Sequence, residues 1–331
     1  MLAPYGSRDL HHDANPFIRY RVRVTARELP TGTVVVTGAS RGIGQAAARE
    51  LAADGDWHIV LAVRSDADAH ARELASRTGN PHIHPLTCDL ASLACVQTAA
   101  ACLAELLDTE SLPALRALIA NAGVQLNSTA DTTADGYERT FGTNVIGHYA
   151  LIRELLPHLS APARVVLVTS ATHFGDFRHT YGSMPAPRWM EVDALARPRP
   201  GNRRDGQATY TTSKLALIYL THVLARHVPQ GVDVYSFNPG LVLQTSIMRE
   251  YGPIARRAAR LLATPLQHTP LAVSLQESGR RLAEAAVGCV AAPSGSYLDV
   301  GRPTRSSAES YDQQREADLW TRLAALTGHE P

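Results

Sequence analysis

At 331 residues, 45% of them hydrophobic and 19% charged, the chain holds enough apolar side chain for one large α/β domain, or a domain with a small appendage. A formal net charge of +1 leaves no electrostatic footprint for nucleic acid or an anionic membrane surface. The start, Met-Leu-Ala-Pro-Tyr-Gly, has no apolar leader and no run of about 18 apolar residues follows, so a soluble, cytoplasmic protein with no membrane span is expected.

Residues 1–30 are polar, carry His11-His12 and an arginine-rich stretch over 19–27, and read as an N-terminal extension ahead of a domain over 31–331. From Thr33 onward, short β-branched runs alternate with Ala/Leu-rich stretches. Strands are predicted at 33–37, 58–63, 82–86, 115–120, 164–170, 232–237 and, shorter, 297–300. Helices are predicted at 43–53, 67–77, 90–107, 134–159 and 208–227. This alternation calls for parallel βαβ units and hence a doubly wound sheet.

Two stretches break the rhythm. Residues 172–207 contain Pro185, Pro187, Pro198 and Pro200 and few periodic apolar positions, and are expected as a long surface loop or insertion. Residues 241–282 are arginine-rich and helical in pattern. They follow Asn238-Pro239-Gly240 beyond the carboxyl end of a strand, which makes them a candidate lid over the ligand crevice.

The segment Thr37-Gly38-Ala39-Ser40-Arg41-Gly42-Ile43-Gly44 follows the strand Val34-Val35-Val36 and opens a helix. Glycines there permit a tight turn and close backbone approach, and a helix N-terminus receives a pyrophosphate. An NAD-selective site places a carboxylate at the end of the next strand for the ribose hydroxyls. Here Arg64 stands there and Arg41 lies in the loop, so two guanidiniums are available for a 2′-phosphate, favouring NADP over NAD.

Of 32 basic residues, one is lysine. It is Lys214, in Tyr210-Thr211-Thr212-Ser213-Lys214, and a bias that removed lysine elsewhere spared it. On a helix, residues four apart share a face, so Tyr210 and Lys214 would present an acid and a cation together. A cation within ~4 to 6 Å would pull the phenol, with a free pKa of about 10, toward the working range. The four cysteines, Cys88, Cys95, Cys102 and Cys289, include no C-x-x-C pair and are expected as buried, reduced thiols, with no metal site. Arginine and alanine richness with so little lysine suggests a bacterium of high-GC coding bias.

These residues together resemble the short-chain dehydrogenase/reductase superfamily of the classical type, over residues 31–300. The T-G-x-x-x-G-x-G loop is Thr37 to Gly44, and the adenine-holding aspartate matches Asp89, followed by Leu90. The N-A-G turn is Asn121-Ala122-Gly123, the structural asparagine is Asn144 and the catalytic serine is Ser170. Tyr210 and Lys214 are the catalytic pair, and Pro239-Gly240, with Val242 and Thr245 beyond, matches the carboxamide-binding end. The resemblance implies a single Rossmann-type doubly wound parallel sheet of about seven strands with helices on both faces. Phe141 to His148, Ser170 to His173, and the tail with Ser310-Tyr311-Asp312 and Leu319-Trp320 are similar to the retinol dehydrogenase and protochlorophyllide reductase branch. The light-dependent reductases carry a cysteine two residues after the active-site lysine. Here that position is Ala216, which speaks against light-driven ring reduction. The 39 residues between Ser170 and Tyr210 exceed the spacing of the classical enzymes.

The resemblance implies hydride transfer between NADP(H) and a carbonyl or carbinol carbon. Tyr210 would be the proton donor, Ser170 would hold the substrate oxygen, Lys214 would lower the Tyr210 pKa and bind the ribose, and Asn144 would hold a water feeding protons to Lys214. The leading reading is an NADPH-dependent ketoreductase or alcohol dehydrogenase acting on a fairly large apolar or aromatic small molecule, as in specialised metabolism. An idle NADP-binding sensor on the same fold is the alternative, and a sugar epimerase a third reading that fits the glycine spacing less well. A homo-oligomer is compatible with the sequence without being argued by it.

Overall fold

The computed structural model describes residues 28–242 and 272–331. The first βαβαβ half comprises β1 (Thr33–Thr37), α1 (Gly42–Ala53), β2 (His58–Val63), α2 (Ala67–Thr78) and β3 (Ile83–Thr87). Then come α3 (Leu93–Asp108), β4 (Leu115–Ala120), α4 (Arg139–Phe141), α5 (Gly147–Leu155) and β5 (Leu159–Val168). The chain continues through α6 (Phe177–Thr180), α7 (Val192–Ala196), α8 (Arg203–His227) and β6 (Val232–Asn238). It ends with α9 (Leu275–Val287), β7 (Tyr297–Asp299), β8 (Arg302–Thr304) and α10 (Gln313–Thr327).

The strands form one sheet in the order β3-β2-β1-β4-β5-β6-β7-β8, parallel except for the β7/β8 pair. The order reverses between β1 and β4, so their carboxyl ends flank the crevice at which such sheets bind ligands. Period-two alternation splits the strand side chains between two cores. Val35, Val60, Leu118 and Val165 face the layer of α3, α5, α8 and α10. Val34, Ile59, Ile119 and Val166 face α1, α2 and α9. The strands are buried on both sides, which is why they read as continuous apolar runs.

Several elements differ from the sequence expectation. The long helix over 134–159 is instead α4, a π-helical turn Gly142–Ile146, α5 and a 3-10 turn Leu156–His158, with β5 starting at Leu159. It begins late because the Glu138 side chain accepts from the Phe141 amide at 2.7 Å and caps it there. The 172–207 insertion is built from short helices. Its last residues already belong to α8, which Asn202 and Asp205 start with a reciprocal capping box.

Of the 241–282 lid, residues 243–271 lie outside the described residues. The remainder from Leu275 is the first part of α9, and it is wedged against the core: a Cβ on Gly279 would come within 2.8 Å of the Ala47 nitrogen in α1. That part is packing, not lid. The N-terminal extension falls outside the described residues up to Arg27, but Leu29 is buried and its amide donates to the Val287 carbonyl at 2.8 Å, so the domain starts before residue 31. Strand β8 has no counterpart in the sequence expectation. It is exposed, contains Pro303, and is paired through a two-residue turn in which Val300 and Gly301 both have positive φ.

Helix α10 is anchored to α8 through Glu316, 2% exposed, which accepts from His222 Nδ1 at 2.8 Å and from Arg226 Nη2 at 2.7 Å. Of the four free cysteines only Cys88 is buried; Cys102 and Cys289 are exposed, against expectation. Among the described residues no helix is long and apolar enough to cross a membrane.

Candidate active site

The glycine loop joins β1 to α1 and is bonded to the turn after β4. Thr37 Oγ1 accepts the amides of Asn121 (2.8 Å) and Ala122 (2.9 Å), and Asn121 Nδ2 donates to the Thr37 carbonyl at 2.8 Å. Gly38 has φ +66, and a Cβ there would stand 2.8 Å from the Ala122 Cα, so the two turns touch only because that side chain is missing. Gly42, at φ +62, faces open space, with nothing within 4 Å of where its Cβ would be.

A cavity of about 480 Å³ runs from this loop across the carboxyl ends of β1 and β4. Ser40, Arg41, Arg64 and Asp89 line one end; Tyr210, Lys214 and Pro239 line the other. Ile43, Leu90 and Asn121 to Gly123 lie along it. A helix N-terminus, an open glycine turn and two guanidiniums fit an extended dinucleotide with a terminal phosphate. The Asp89 carboxylate spends one oxygen on the Ala91 amide at 3.0 Å. Three expected contacts do not line the cavity. Gly44 packs against Asn121, Gly240 (φ +78) packs against Val273 and Val300, and Val242 is buried at 8% exposure. Thr245 lies outside the described residues.

At the catalytic end, α8 carries Tyr210 and Lys214 one turn apart, 6% and 4% exposed. Lys214 Nζ donates to the Val168 carbonyl at 2.9 Å and lies 5.6 Å from the centre of the Tyr210 ring. Ser170, just beyond β5, hydrogen-bonds the Tyr210 hydroxyl. Burial pushes the Tyr210 pKa up to about 12, only partly opposed by the Ser170 bond, and pulls Lys214 down to about 8. The Tyr210 pKa thus moves opposite to the expected lowering by Lys214, because burial strips the phenolate of its hydration.

Asn144 sits in the π turn, fully buried. Its Oδ1 accepts from the Val124 amide at 2.8 Å, and its Nδ2 donates to the Val124 carbonyl and to Ser213 Oγ, both at 3.0 Å. Both amide hydrogens are thereby spent on a brace between the turn after β4 and the residue preceding Lys214.

Sequence reasoning missed Ser65, His70, Arg139 and Thr143 on the cavity wall, and two buried histidines. His173 Nδ1 donates to the Ser170 carbonyl at 2.7 Å, and its Nε2 accepts from the Ser307 amide at 3.1 Å. His148 bonds Asn144 and Thr37. Neither histidine stands in a spacing that marks it; each has one partner within four residues, and its second, Ser307 for His173 and Thr37 for His148, comes from a segment remote in sequence.

The family profile described as short chain dehydrogenase matches residues 32–181. A chloroplastic protochlorophyllide reductase of Chlamydomonas reinhardtii is 32% identical over 89% of this chain and 78% of its own length. Human retinol dehydrogenase 13 is 31% identical over 91% of this chain and 86% of its own. An uncharacterised protein from Mycobacterium paratuberculosis superposes with a TM-score of 0.64 at 26% identity, covering 92% of this chain and 98% of that one.

Proposed function

The chain belongs to the short-chain dehydrogenase/reductase superfamily, in the branch of the protochlorophyllide reductases and retinol dehydrogenases, and from that premise we propose an NADPH-dependent reductase of a fairly large apolar or aromatic ketone. The observation that carries this reading is the cavity itself, with two arginines at one end and the Tyr210–Lys214 pair, bonded to Ser170, at the other.

The nicotinamide, when bound, supplies a hydride to the carbonyl carbon. Tyr210 gives its phenolic proton to the carbonyl oxygen as the C–O π electrons move onto it, and solvent later restores that proton. A phenol whose pKa stands near 12 is fully protonated at neutral pH, the form that reduction requires. Ser170 turns its hydroxyl to the same oxygen and stabilises the charge developing there. Lys214, charged below about pH 8, adds a positive potential at the same end.

The apolar substrate class is supported by the insertion that follows Ser170. Its helix α6 leaves Phe177 75% exposed and Tyr181, just past its end, 53% exposed. Ala216, directly after Leu215 on the buried face of α8, supplies no thiol for a protochlorophyllide-type photoreduction.

Purified protein should consume NADPH with a planar aromatic diketone such as phenanthrenequinone, and Tyr210→Phe should abolish the reaction. Tight NADPH binding with no turnover on a broad panel of ketones and alcohols would favour the idle sensor instead.

A further inference from the structure

We infer that His148 is a positioning residue that ties the cofactor loop to the π turn bracing the catalytic helix, one arm governing NADPH affinity and the other governing turnover. The turnover half rests on the reductase reading above; the affinity half does not.

The imidazole is 0% exposed and has a partner at each nitrogen. Nδ1 lies 2.9 Å from the Asn144 carbonyl and Nε2 3.0 Å from Thr37 Oγ1. A carbonyl oxygen only accepts, so Nδ1 carries the hydrogen. Thr37 Oγ1 already accepts two amides, those of Asn121 and Ala122, which occupy both its lone pairs. Its hydrogen is left for Nε2, the other acceptor in reach being the Ile119 carbonyl at 3.2 Å. Nε2 must therefore accept. An imidazolium would place a second N–H against a hydroxyl with no free lone pair, and burial acts in the same direction, holding the pKa near 4. The ring is fixed as one neutral tautomer.

That tautomer sits at a junction. Its Thr37 arm ends on the first residue of the glycine loop, which is itself bonded to the turn after β4. Its Asn144 arm ends inside the π turn Gly142–Ile146, a strained helical form that needs outside support. If the turn relaxes, the Asn144 carboxamide leaves Val124 and Ser213, and the shelf beside Lys214 shifts with it.

Two substitutions separate the arms. His148→Asn places an amide N–H where Nδ1 was and cannot reach Thr37. NADPH affinity, read by fluorescence titration, should weaken by roughly 3- to 10-fold, the loss of one neutral hydrogen bond, while kcat stays near wild type. His148→Gln reaches toward Thr37 and leaves the Asn144 carbonyl. Here kcat should fall by roughly 10- to 100-fold, as for a displacement of about an ångström, with NADPH affinity kept. Equal loss of both quantities in both variants would reduce His148 to packing and overturn the inference. If either variant fails to fold, nitrogen-15 NMR of the wild-type ring still decides: a hydrogen on Nδ1 is required, and one on Nε2 alone refutes the arrangement. If the wild type turns over nothing in the ketone and alcohol panel, the reductase reading falls, whereas the affinity change in His148→Asn and the tautomer still test the link to Thr37.

Discussion

Lys214 Nζ is held 2.9 Å from the carbonyl oxygen of Val168, the last residue of β5, so the lone lysine of the chain is tied to the sheet as well as to its own helix. The site is shaped for a compact ammonium. In Lys214→Arg the planar guanidinium keeps the charge but must displace either Val168 or Tyr210. Turnover should fall at least ~100-fold, the lower end of acid–base contributions, with the circular dichroism spectrum unchanged. Near wild-type turnover in this variant would show that the lysine is incidental.

Keeping a cation at 4% exposure opposes folding. Burial lowers the Lys214 pKa from 10.5 to about 8, so below pH 8 the folded state carries a desolvated charge whose unfavourable free energy is on the order of 3 kcal/mol. Between those two values the unfolded chain binds more protons, and this residue's contribution to stability rises with pH. Lys214→Met should therefore lose activity and yet raise Tm at neutral pH by a few degrees, the scale expected for ~3 kcal/mol in a chain of this size. A lower Tm would mean that the bond to Val168 outweighs the desolvation.

In the proposed reduction the same two groups would set the pH profile. Tyr210 stays protonated up to about pH 12, whereas Lys214 loses its charge above about pH 8. kcat for ketone reduction should be high at neutral pH and decline as pH rises through the Lys214 value, well before the tyrosine titrates. A rate that holds level until the phenol itself ionises would remove Lys214 from the chemistry.

Much of this site was legible because it is local. The glycine loop, the N-A-G turn and the Tyr-x-x-x-Lys pair each sit within a few residues, and β1, β2 and β4 follow apolar runs whose ends are marked by glycine or polar residues. What was not legible is non-local or depends on competition. The π turn Gly142–Ile146 and the His148 that follows it are bonded to Val124, Ser213 and Thr37 from other segments, and nothing in Gly142–Ile146 alone distinguishes it from ordinary helix. The direction of the Tyr210 pKa shift depends on how deeply α8 buries the ring, which the five-residue motif does not contain. The start of α8 is local too: Asn202 with Asp205 three residues on is a capping signal, masked by the prolines of the insertion that precede it.

The proposed preference for NADPH assigns the 2′-phosphate to Arg41 and Arg64, which line the cavity beside the glycine loop. Arg64 follows β2 directly and is exposed, so its removal should leave the fold intact. Arg64→Ala should weaken NADPH binding by ~1.5 to 3 kcal/mol, the range of a hydrogen bond to a charged group, and leave NADH nearly unchanged. Fluorescence titration of both nucleotides checks it; equal affinities in the wild type would dismiss the NADP assignment outright.

Helix α10 supports the catalytic layer from outside. Trp320, 7% exposed, meets the Tyr149 ring edge-on at 5.3 Å, stacks on His227 at 4.8 Å and lies 4.9 Å beneath the Arg153 guanidinium. Tyr149 and Arg153 belong to α5, immediately after the π turn, so the tryptophan clamps α5 and α8 together. Trp320→Ala opens a cavity under a helix already pinned by Glu316, and should lower unfolding stability by about 3 to 5 kcal/mol in urea titrations. Because the π turn lies next to the loosened face, kcat should fall more than NADPH affinity does. A variant with unchanged stability would show that α10 merely rests on the domain, and that the bonds from Glu316 to His222 and Arg226 carry the attachment alone.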